Sequence, residues 1–184
     1  MSLFNVHHIA SSLRKYRQWH QWVGISIALL VLISSLTGIL LAWKKDIDVL
    51  QPPTQKSIAV EEQAWLPIET LASLAQDTLA KHLNQAKPEI DRMDVRPAKG
   101  IVKVNFTKGY WEVQVDGYTG NILSIARRHS DWIEQVHDGS IVSDLFKLVS
   151  MNSLGLGLLI LTGSGIWLWF GPRRIRKIKK RKQA

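Results

Sequence analysis

The chain has 184 residues, 46% of them hydrophobic, a formal net charge of +9 and no cysteine. Without a thiol there is no disulfide, iron–sulfur cluster, thiol nucleophile, zinc–thiolate site or covalent c-type haem, so a redox cofactor would need other ligands. The sequence also lacks H-E-x-x-H, G-x-S-x-G, a P-loop and a dinucleotide fingerprint after a strand, which sets aside the enzyme classes built on them.

In chain order, residues 1–18 are a basic tail holding Arg14, Lys15 and Arg17. Residues 19–43 read as a first transmembrane helix, because 23–43 carry no charge and, at about 1.5 Å per residue, cover the ~30 Å hydrocarbon layer. Trp19, Trp22 and Trp43 sit at its ends, where an amphipathic ring favours the headgroup level. The segment reads as a retained anchor and not a cleaved signal, since Trp43-Lys44-Lys45-Asp46 offers no small-residue cleavage site.

Residues 44–65, with Pro52-Pro53, read as a linker. Residues 66–128 read as a small α+β domain. Leu66-Pro67-Ile68-Glu69 opens a helix on which Leu71, Leu74, Ala75, Thr78, Leu79 and Leu83 recur at helical spacing, and Pro88 ends it. From Ile90 the period changes to two, giving strands near 90–95, 101–106, 110–115 and 122–125. Lys99-Gly100, Lys108-Gly109 and the stretch from Asp116 to Asn121 supply the turns, so the expected unit is one helix on an antiparallel meander.

Residues 129–147 read as a connecting helical segment, 148–170 as a second transmembrane helix flanked by Trp167 and Trp169, and 171–184 as a basic tail. The tails together hold eleven basic residues and no acidic one. Between them lie thirteen basic and all fifteen acidic residues, so +11 stands against −2. The positive-inside rule then places both termini in the cytoplasm, and the expected location is the cell inner (cytoplasmic) membrane with the central domain on the extracytoplasmic, periplasmic side. The C-terminal basic run reads as a clamp on membrane lipid; nucleic-acid binding would need a folded module that these residues lack.

The stretch Val113-Gln114-Val115-Asp116-Gly117-Tyr118-Thr119-Gly120-Asn121-Ile122-Leu123, following the helix, resembles a PepSY domain. The flanking helices resemble the PepSY-associated transmembrane family through His20-Gln21-Trp22-Val23-Gly24 with Thr37-Gly38-Ile39-Leu40-Leu41, and through His137 with Gly139 followed by Thr162-Gly163-Ser164-Gly165-Ile166-Trp167-Leu168-Trp169-Phe170-Gly171-Pro172-Arg173-Arg174. Larger four-span relatives are regarded as haem-containing ferric-siderophore reductases, and small two-span ones as ferric reductases that assist ferrous-iron uptake. The resemblance therefore implies a b-type haem, held non-covalently, and ferric iron or a ferric chelate as substrate. The chain departs from the family pattern after His137, where Asp138-Gly139-Ser140-Ile141-Val142-Ser143-Asp144 is more polar than the usual leucine-rich segment.

With Cys absent, imidazole is the strong ligand left for haem iron. His20 enters the first span, and Gly24 one turn along would leave room for a flat porphyrin. The alternative is an interfacial His beside a packing face formed by Gly24 and Ala28. His137 approaches the second span at the outer interface, with Gly139 clearing space beside it; the alternative there is a solvated side chain. The family implies that His20 and His137 are axial ligands. His129 is a poorer candidate, His82 reads as solvated, and His7 and His8 lie in the tail.

Opposite ends of a bilayer lie ~30 Å apart, so His20 and His137 cannot share one iron. A homodimer would bring the same His from two chains to a two-fold axis and make a four-helix bundle. Ser34, Ser35, Gly38, Gly155, Gly157, Gly163, Ser164 and Gly165 would allow close helix contact, within one chain or between two. The turn at Asp116 partly resembles a covalent flavin attachment sequence, but Asn121-Ile122 replaces the residues such a site needs. Electrons would come from a quinol or a redox partner. The rival expectation is a non-enzymatic, membrane-tethered PepSY interaction or peptidase-modulating module.

Overall fold

The computed structural model describes the backbone of residues 3–58 and 64–183, and the side chains of 11–58 and 64–177. It divides into two compact units, one made of Met1–Thr37 with Gln135–Ala184, the other of Gly38–Glu134.

Helix α1 runs Leu3–Ala42 and helix α4 runs Asp144–Gln183. Both extend past the apolar segments read from sequence, because nothing in either basic tail breaks a helix except Pro172, which α4 carries inside it. The spans Ser11–Ala42 and Asp144–Lys177 are long and apolar enough to cross a bilayer. Their apolar side chains mostly face outward: Ile25, Leu29, Leu156 and Leu159 are each more than 60% exposed. A soluble core helix would bury such residues, whereas hydrocarbon solvates them, and α-helix is the form that satisfies its own backbone there.

Within the first unit α1 and α4 meet along a seam of seven-residue steps. On α1 the seam residues are Leu13, His20 and Ile27, and on α4 they are Gly171, Ser164 and Gly157. Ser150, one further step along α4, is also buried. The α4 positions are thus all Gly or Ser. A Cβ added at Gly157 would come within 2.7 Å of Ile27 Cδ1, so the small residues let the bulkier α1 side chains seat against backbone.

In the second unit, α2 (Ile68–Leu83) lies on a four-stranded antiparallel sheet of order β1 (Ile90–Arg96), β2 (Ile101–Phe106), β3 (Trp111–Asp116), β4 (Ile122–Arg127). This is the helix-and-meander expected from the change of period. Leu71, Ala75 and Leu79 of α2 are fully buried against Val102, Val104, Val113 and Val115, each large apolar side chain contributing roughly 1.5–3 kcal/mol. A short 3-10 turn, Pro97–Lys99, leads to Gly100 at φ +66°, and Gly109 and Tyr110 both take positive φ in the β2–β3 turn, the requirement of a tight hairpin.

The second face of β2 and β3 is polar and equally buried. Lys103, Asn105, Glu112, Gln114 and Asp116 are at most 3% exposed. The linker covers them, for Gln55 N donates to Gln114 Oε1, Gln114 Nε2 to the Pro53 carbonyl, and Ser57 Oγ to Asp116 Oδ2. Residues 50–58 are therefore a strap bound to the sheet and not a free tether. Helix α3 (His129–Asp138) follows β4, and its Ser130 N donates to the Leu50 carbonyl at the head of the strap.

Candidate functional site

The two histidines read as ligands both lie in the helical unit, and each meets a hydroxyl. His20 Nδ1 is 2.8 Å from Ser164 Oγ. That hydroxyl has one proton, and it donates it to the Ile160 carbonyl at 2.6 Å, as a mid-helix Ser does. Ser164 Oγ then accepts from His20 Nδ1, so the tautomer of the neutral ring that fits this contact has its lone pair on Nε2.

His137, at the C-terminal end of α3, has the same arrangement. Thr37 Oγ1 donates to the Ile33 carbonyl at 2.7 Å and lies 3.0 Å from His137 Nδ1, so it too accepts from the ring. Ser34 Oγ donates to the His137 backbone carbonyl at 3.1 Å, which holds the last turn of α3 against α1. Gly139 follows at φ +82°, where an L side chain is strained, and a Cβ there would press on Phe146 and Ser150. Asp138 accepts from Ser140 N and pairs with Lys147. Burial alone would raise its carboxyl pKa, but Lys147 and Ser140 outweigh burial and hold it below the usual range.

From His20 to Thr37, the neighbour of His137, α1 rises ~25 Å. Two separate irons are the only way both rings could act as ligands. Gly24 faces across to Leu161 Cδ2 at an ordinary 3.8 Å from its built Cβ. Gly155 and Gly163 have open space beside them.

Beside Ser164 lies a largely apolar groove of about 720 Å³, bounded by Lys15, Tyr16, Trp19, Leu159, Gly163 and Trp167. The indole Nε1 of Trp167 is buried and has no hydrogen-bond partner among the described residues. A buried N–H without an acceptor is costly, and it marks a place where a polar group from outside the chain could be received. Lys15 adds a positive charge at the same groove.

Among the described residues, neither His82 nor His129 is assembled with these. His82 is exposed and stands edge-on to Trp111 at 5.5 Å; His129 begins α3; the side chains of His7 and His8 lie outside the described residues. No group of three or more His, Asp or Glu among the described residues could chelate a bare metal ion.

The profile of the PepSY-associated TM region matches residues 17–184, which takes in both spans, the domain between them and both histidine sites. The chain belongs to the PepSY-associated transmembrane family. No curated protein matches it. As a PepSY-associated transmembrane chain with two outward-apolar helices, it is a membrane protein.

The sequence of this family member singles out His20 and His137 as candidates but not the hydroxyls beside them. Ser164 was visible only as a small residue suited to packing, and Thr37 as part of a Thr-Gly pair. The partnerships join residues more than a hundred positions apart, and only the seven-residue spacing of small residues on α4 could have pointed to Ser164.

Proposed function

We propose that this protein holds non-covalent haem b through His20 and His137 and serves as a ferric reductase in iron uptake, with ferric iron or a ferric chelate as acceptor on the outer side of the cytoplasmic membrane. The observation that carries the reading is that the Nδ1 of each ring lies against a hydroxyl that donates to its own helix, a partner that fixes the ring's orientation and, in the neutral ring, would leave Nε2 as the nitrogen able to bind iron.

The groove suits such a group: its walls are apolar and aromatic, Lys15 can pair with a propionate, and Trp167 offers an unused N–H. When bound, haem supplies one-electron redox chemistry. The chain's own part is to orient the two imidazoles, exclude water with Trp19, Tyr16 and Trp167, and keep the two positions ~25 Å apart along α1. One His per site calls for a second ligand, and a homodimer with a four-helix bundle supplies it by symmetry. Gly155 and Gly163, with open space beside them, would allow that approach. The charge of the tails supports a cytoplasmic side for both termini, and a quinol or a redox partner supplies the electrons in this reading. Reduction releases the iron because hard oxygen donors hold Fe(II) far more weakly than Fe(III).

The test is a spectrum. Protein purified in detergent is expected to be red, dimeric and haem-loaded, and His20→Ala is expected to lose much of the haem while remaining in the membrane. A colourless wild-type preparation would favour the interaction module, and full haem in His20→Ala would remove His20 as a ligand.

A further inference from the structure

The second unit holds a cleft of about 680 Å³, within the size range of small-molecule sites, walled on one side by the strap residues Pro52, Pro53 and Thr54. Six cationic side chains line it: Lys45, Arg92, Arg96, Lys99, Lys103 and Arg128. The one acidic side chain on the lining is Asp94.

Ion pairs absorb part of that charge. Asp94 pairs with Arg96, Asp91 and Asp131 with Arg92, Glu112 with Lys103 and Arg128, and Asp131 again with Arg128. Four carboxylates thus serve four cations. Lys45 and Lys99 are exposed and face no acidic partner among the described residues.

Lys103 is the more telling member. Its side chain is only 2% exposed, and its one described bond is a long 3.4 Å contact to Glu112 Oε1. An ammonium has three protons to give, so two find no acceptor among the described residues, and they belong to a residue that lines an open cleft. Glu112 cannot compensate further, since Gln114 Nε2 at 2.8 Å and Arg128 at 3.1 Å already hold its oxygens. Burial lowers the Lys103 pKa against the opposing pull of Glu112, and a bound anion would relieve that penalty.

We propose that this cleft binds a small, multiply charged carboxylate anion, with Lys103 at its base and Lys45 and Lys99 at its mouth. Resting on the ferric-reductase reading, it narrows the acceptor to anionic hydroxycarboxylate chelates of iron(III) and disfavours neutral or cationic ones. Like charges gathered without acceptors are unfavourable in the empty state, so complementary charge is what the site selects.

Gallium(III) citrate, a redox-inert stand-in for the ferric chelate, is the probe, titrated into the full-length protein in detergent by calorimetry. Saturable binding is expected that weakens as salt rises. The double variant Lys45→Gln, Lys99→Gln, which breaks no described contact, is expected to bind roughly tenfold more weakly while keeping its haem content and melting temperature. Absence of gallium citrate binding, or equal affinity in the double variant, would overturn the proposal. Neither result depends on haem, so a colourless protein that still binds gallium citrate would defeat the reductase reading and leave the cleft standing.

Discussion

At the scale of single residues, the hydroxyls of Ser164 and Thr37 accept from the imidazoles of His20 and His137. A partner of this kind orients the ring and raises its basicity, and its removal typically costs ten- to a hundredfold in affinity for the bound metal. Ser164→Ala is therefore expected to weaken haem binding by about that factor and to shift the midpoint potential, without affecting insertion, because Ala fits the seam as well as Ser. Haem titration of the apoprotein and a redox titration of the reconstituted form check it. Wild-type values in both would show that the hydroxyl serves only packing. The two rings stand out as candidates in the sequence because the absence of Cys leaves few alternatives, and because His20 and His137 stand in recognisable motifs. The hydroxyls were not, since Thr and Ser in apolar helices ordinarily bond to their own backbone, as Thr37 and Ser164 also do.

Among the elements, the sheet's polar face gives the sharpest test. Asp116 closes the β3–β4 turn by accepting from Tyr118 N and Thr119 N, and it ties down the strap through Ser57. Burial would raise its pKa, yet these bonds outweigh burial and hold it below the usual carboxylate value. A depressed folded-state pKa contributes stability that is complete above the unfolded value near ~3.9 and disappears as pH falls through the folded one. Asp116→Asn is expected to cost about 1–3 kcal/mol at neutral pH. The gap from wild type should close below about pH 4, followed by far-ultraviolet melts in detergent; an unchanged gap down to pH 3 would mean that the carboxylate's charge is immaterial. The period-two pattern made the strands legible, and Leu71, Ala75 and Leu79 marked the buried face of α2 in advance. The strap was not legible, because Pro52-Pro53 between polar residues is as consistent with a free linker as with a bound one. What binds it are Gln114 and Asp116 of the buried row Lys103, Asn105, Glu112, Gln114 and Asp116, which alternation alone assigns to solvent.

For the whole molecule, the charge asymmetry predicts that a reporter active only outside the cytoplasm works when fused near Gly117 and fails at either end. Activity at the C-terminus would end the two-span topology. The strap adds an order of events. A chain made from its N-terminus delivers residues 50–58 before any strand, so the cover exists before the face it will close. The latch comes last, for Ser130 N reaches back to Leu50, and Arg128 to Glu112 and Asn105. Only when residue 130 has emerged can the sheet bury its charges, and the apolar stretch of α4 begins within the next twenty residues. The domain therefore completes itself at nearly the moment its second anchor reaches the bilayer, and a pause in synthesis between them would leave a highly charged sheet unsealed.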